Sequence, residues 1–171
     1  MKEIVKYGFI LFVICVVASG LLAQVYSITK SKIVAQAQAE EEAGLKQVIP
    51  EAVRFEPVKS GDDIIYYKAY DNKGVVRGIA FKTSGKGYAS SIDTIVGMTA
   101  DGTIIGIKVL SQNETPGLGA RVSEQSFAGQ FARRHIKDAS GIHAISGATI
   151  SSRAVINSVR RKADEIQKLL K

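Results

Sequence analysis

Cysteine occurs once in this sequence, at Cys15, and histidine only twice, at His135 and His143. A single thiol excludes a disulfide within the chain and any cluster held by several thiolates. The two histidines have no partner cysteine near them and read as ordinary polar residues beside loops, so no metal site is expected. Redox chemistry, if the chain has any, must then come from an organic cofactor. There is no glycine fingerprint opening a helix after a strand, which argues against a dinucleotide-binding unit. Zinc-finger spacing, an aromatic RNA-binding signature and a basic recognition helix are also missing. These absences matter because the chain is basic, with 23 Lys and Arg against 16 Asp and Glu and a formal net charge of +7. Nucleic acid is set aside as a partner, and the charge reads as a solvated basic surface beside a membrane.

From Tyr7 to Ile28 no residue is charged, and the run is dense in Phe, Ile, Leu and Val. As a helix it would extend roughly 33 Å, enough to cross the hydrocarbon core of a bilayer. Tyr7 and Tyr26 stand near its ends, where aromatic rings favour the interface. Ala18-Ser19-Gly20 resembles a signal-peptide cleavage site, but the apolar run is long for a signal sequence. Phe12-Val13-Ile14 ahead of Cys15 lacks the small residues that precede a lipidated cysteine, so the segment reads as a retained anchor. Lys2 and Lys6 flank one end and Lys30 and Lys32 the other; the short tail favours a cytoplasmic N-terminus. The expected partition is a cytoplasmic tail at 1–6, a transmembrane helix at 7–28, a polar helical stalk at 29–50 limited by Gly44 and Pro50, and one globular domain at 51–171.

Beyond Pro50 the pattern has a period of two. Ile64–Tyr70 and Val75–Phe81 flank Asp71-Asn72-Lys73-Gly74, and Ile92–Met98 and Thr103–Leu110 flank Thr99-Ala100-Asp101-Gly102. Both read as antiparallel hairpins. Phe127, Gln130 and Phe131 suggest a short helix, and from Arg153 onward Val155, Ile156, Val159, Ala163, Ile166 and Leu170 recur at helical spacing. The fold class is therefore α+β, with antiparallel hairpins, flanking helices and one N-terminal membrane helix.

Two loops can hold chemistry. Glu114-Thr115-Pro116-Gly117-Leu118-Gly119 follows a strand; its glycines let backbone approach a flat ligand, and Pro116 stiffens it. An ordinary Gly/Pro turn has the same composition. Ser146-Gly147-Ala148-Thr149-Ile150-Ser151-Ser152 precedes the last helix, whose first-turn amides make an anion site, with Arg153 adding charge. Alternatively, Ser151 or Ser152 simply caps that helix. Nothing physical in the loop specifies one phosphate ligand over another.

The second loop resembles the flavinylation motif of the FMN-binding domain family. That domain occurs in the G subunit of Rnf-type ion-translocating electron transport complexes and in the C subunit of the sodium-translocating NADH:quinone reductase. The first loop, the Gly87-Tyr88 element, the single N-terminal span and the order of elements are similar as well, over essentially the whole chain. The resemblance implies FMN held covalently by a phosphoester to Thr149, attached by a flavin transferase. It implies cofactor contacts from Ser146, Gly147, Ala148 and Ile150, and from Glu114, Thr115, Gly117, Leu118 and Gly119. It also implies electron relay among the other membrane and redox subunits of a complex, with the FMN domain outside the cytoplasmic membrane. The short chain and the run Thr149–Val155 are more similar to the Rnf G subunit than to its quinone reductase counterpart. A membrane-anchored module binding an anion or solute reversibly is one alternative. A hydrolase using Ser146 or Thr149 is another, but His143 is the only nearby base and lacks an acidic orienter.

Overall fold

Local turn chemistry sets the strand order. In the computed structural model, which describes residues 2–61 and 63–170, the Asp71 carboxylate accepts from the N–H groups of Lys73 and Val75, at 2.8 and 2.9 Å. Gly74, at φ +76°, completes the reversal. This turn joins β2 (Asp63–Tyr70) to β3 (Val76–Lys86). Gly102, at φ +95°, does the same between β4 (Ser91–Met98) and β5 (Ile104–Ser111). Both expected hairpins are present, and they are continuous with each other. β3 runs five residues past Phe81 and pairs with β4 from Ile79↔Met98 to Lys86↔Ser91. A strand not foreseen from the sequence, β1 (Arg54–Ser60), pairs with β2 and completes an antiparallel sheet in the order β1-β2-β3-β4-β5. β1 contains Pro57, which interrupts the strand pattern. At the sheet edge its missing N–H costs little.

The N-terminal helix α1 runs from Lys2 to Val48 without interruption, so Gly44 does not end it. The chain divides into two compact units, one up to Glu40 and one from Glu41 to the C-terminus. In the first, Ile10, Leu11, Phe12, Ile14, Leu21 and Leu22 are all exposed, and α1 is long and apolar enough to cross a membrane. In the second, Leu45, Val48 and Ile49 pack on Ala69, Ala80 and Ile95 of the sheet. Here Gly44 serves close approach, since a Cβ would come 2.9 Å from Leu110 and 3.1 Å from Ile95.

The short helix α2 (Gln125–Ala128) and the 3-10 turn after it deliver Phe127 and Phe131 to a separate core as an edge-to-face pair 5.6 Å apart. The last helix, α3 (Thr149–Leu169), completes that core and starts slightly earlier than its apolar spacing suggests. Its Val155, Val159, Ala163 and Ile166 are buried in one cluster with Phe81, Ile92, Val96 and Met98 of the sheet. Approach is closest at Gly85 of β3, where a Cβ would collide with the Ala154 carbonyl oxygen and lie 2.9 Å from its carbon.

Candidate functional site

Three segments far apart in sequence meet at one end of the sheet: the β3–β4 turn at 87–90, the loop at 114–119 and the start of α3. Glu114 joins them. Its side chain is buried, with the residue only 5% exposed. Oε1 accepts from the N–H groups of Ala89 (2.9 Å) and Ser90 (3.0 Å). Oε2 accepts from the N–H of Tyr88 (3.1 Å) and from the Ser151 hydroxyl. Two glycines make room for this carboxylate. A Cβ at Gly87 would lie 2.5 Å from Oε1, and one at Gly119 would lie 2.7 Å from both Oε2 and Ser151 Oγ. The Ser90 hydroxyl accepts from the Asn113 N–H at 2.8 Å, tying the same two loops again.

Burial pushes the Glu114 carboxyl upward, but the Ser151 hydroxyl and three backbone N–H groups outweigh it and hold the group below its ordinary value. The folded pKa is thus lower than the unfolded one. The resulting stabilisation is complete above the ordinary value of about 4.5 and is lost as pH falls from there through the folded value. Thermal melts of the wild type should show that acid loss, and Glu114→Gln should have a lower melting temperature near neutrality with a flatter acid limb. Parallel acid limbs for the two proteins would exclude Glu114 as the group responsible.

The start of α3 is uncapped. Ala148 occupies the N-cap position at φ −131° and ψ 37° and has no side-chain oxygen to offer. Neither serine caps the helix. Ser151 donates to Glu114, while Ser152 donates to the Ala148 carbonyl (2.9 Å) and accepts from the Ile145 N–H (3.0 Å). The Ser152 N–H is used by Ala148, whereas those of Thr149, Ile150 and Ser151 have no protein acceptor among the described residues. Thr149 is exposed at the first helical position, beside these free donors.

These elements enclose a cleft of about 530 Å³, within the range of roughly 300–1,000 Å³ usual for small-molecule and cofactor sites. Glu114, Thr115, Leu118, Gly119, Gly147, Ala148, Thr149 and Ile150 all line it, while Gly117 and Ser146 lie in the same loops outside the lining. Tyr88 and Ser151 line it too, beyond the contacts expected from the sequence. The Gly87-Tyr88 turn is the one sequence signal of Tyr88, and the position of Ser151 suits a cap. Tyr88, Leu118 and Ile150 are 73%, 47% and 56% exposed, leaving apolar surface around the cleft in water. His143 is outside the lining, and its backbone N–H donates to the Gln130 side-chain oxygen at 2.9 Å. A flat ring flanked by apolar side chains, with a phosphate at the free amides, fits this donor set.

Two family models match the chain. Residues 87–164 match the FMN-binding domain, and residues 1–48 match the RnfG N-terminal region. The G subunit of an ion-translocating oxidoreductase complex from Methanosarcina acetivorans is 37% identical, covering 96% of this chain and 95% of its own length. Its counterpart in a proton-translocating ferredoxin:NAD(+) oxidoreductase complex from Clostridium ljungdahlii is 32% identical, over 91% of this chain and 88% of its own. Among solved structures, NqrC from Shewanella oneidensis shares the fold, with a TM-score of 0.53 at 21% identity over 71% of this chain and 74% of that one. The globular unit thus contains an FMN-binding domain. The chain belongs to the RnfG family, the G subunits of ion-translocating oxidoreductase complexes.

Proposed function

We propose that this chain is the covalent flavoprotein of an Rnf-type complex, with FMN esterified through its phosphate to Thr149 and relaying electrons between neighbouring redox subunits. The observation that carries the attachment is an exposed hydroxyl at the first position of α3, beside three N–H groups without protein acceptors among the described residues. Those amides and the exposed Arg153 meet the phosphate charge. Tyr88, Leu118 and Ile150 flank the ring and exclude water from it. Bound FMN supplies one- and two-electron chemistry, while the protein orients it and tunes its surroundings. Attachment by a flavin transferase should raise the intact mass by one FMN less one water, and the band should fluoresce on a denaturing gel. A colourless band from cells containing the transferase would favour reversible binding instead.

In the same proposal residues 1–6 form a cytoplasmic tail, 7–28 the membrane span and 29–50 a stalk. The domain from residue 51 onward lies on the outer side, among the other subunits of the complex. Lys2 and Lys6 before a single apolar span support this orientation. Alkaline phosphatase fused to the C-terminus should be active and a cytoplasmic reporter there silent; the reverse pattern would overturn the topology.

A further inference from the structure

Glu114 is more than a strut between loops. Its carboxylate is buried in the wall of the cleft, and four neutral donors hold it: three backbone N–H groups and one hydroxyl. No Lys or Arg pairs with it among the described residues. The distinction matters physically. An ion pair cancels a charge, whereas hydrogen-bond dipoles stabilise it and leave its net value in place. The N-terminal end of α3 offsets part of that charge, but a net negative field remains at the cleft. Burying an unpaired carboxylate is costly, and here it also requires Cβ-free positions at 87 and 119.

The geometry points to Glu114 as the positioning residue that lowers the reduction potential of the bound flavin, by keeping an uncancelled negative charge in the wall of its cleft. This rests on the cleft being the flavin site. Negative charge beside an electron acceptor opposes the arrival of further electrons, and a medium of low dielectric strengthens the effect. The hydrogen bonds also shape the cleft, so charge and shape must be separated by experiment.

Three variants of the full-length chain, flavinylated in cells with a flavin transferase, make that separation. Glu114→Gln keeps the side-chain length and removes the charge. Glu114→Asp keeps the charge and is too short for all four donors. Ser151→Ala keeps the charge and removes one donor. Midpoint potentials are read by spectroelectrochemistry, and thermal stability is read in parallel. Glu114→Gln should shift the potential upward, while Glu114→Asp stays near the wild type despite losing stability. Ser151→Ala should show no upward shift. An unchanged potential in Glu114→Gln would overturn the inference. So would an equal upward shift in Glu114→Asp, or any rise in Ser151→Ala, and this last remains readable if both Glu114 variants fail to fold. Gel fluorescence of each protein reports attachment separately. Wild type without flavin undermines the functional proposal itself, whereas flavin present at an unmoved potential undermines only the role of Glu114.

Discussion

Thr149→Val is expected to abolish flavin that survives denaturation while leaving the melting temperature nearly unchanged. Thr149 is exposed, and its hydroxyl makes no hydrogen bond within the protein among the described residues. Valine keeps the branched shape and removes only the oxygen, so an effect on attachment without an effect on folding isolates the ester. Thr149→Ser keeps the oxygen on a less restricted rotamer and should attach partially. Ser146→Ala should retain covalent flavin at wild-type stability. Ser152→Ala should retain it too, but at a cost of about 1–3 kcal/mol, because the part-buried Ile145 N–H loses its acceptor. Intact mass and gel fluorescence give the reading. A Thr149→Val protein that still carried the added mass would move the attachment site to another hydroxyl in the loop.

Gly85→Val is expected to have the largest effect on stability. An added Cβ would collide with the Ala154 carbonyl oxygen and meet its carbon at 2.9 Å, both backbone atoms that no rotamer change can clear. Helix α3 must lift from the sheet, separating Val155 and Val159 from Phe81 and Ile92. Overpacking of this severity should cost about 3 kcal/mol or more, a large part of a typical folding free energy of roughly 5–15 kcal/mol. The cleft should suffer with it, since Thr149, Ile150 and Ser151 move with the helix. A denaturant midpoint equal to the wild type would show that α3 does not approach β3 this closely.

How far the sequence disclosed all this depended on the range of each interaction. The turns at 71–74 and 99–102 announce themselves because Asp71 and the positive-φ glycines act within a few residues. β1 was hidden because Pro57 and scattered charges suit only an edge strand, and edge position is a property of the whole sheet. The two loops were legible as a pair, yet their glycines do different work. Gly117 stands at φ +75° in open space and supports the turn, whereas Gly119 makes way for Glu114 and Ser151. That second role crosses from one loop to another, and no local pattern encodes it. The same holds for Ser151 and Ser152, whose position in sequence suits caps and whose hydroxyls bond elsewhere.

The meander also sets an order in time. Each strand pairs with its sequence neighbour, so the sheet can assemble hairpin by hairpin, on the microsecond scale of such events. The cleft cannot, because it draws on residue 88, on the loop at 114–119 and on the start of α3, which is made after both. Under the attachment proposed above, an enzyme that modifies Thr149 in this setting would meet a folded substrate. On that proposal, loading would act as a checkpoint on assembly, and chains in which α3 has not docked would stay uncoloured.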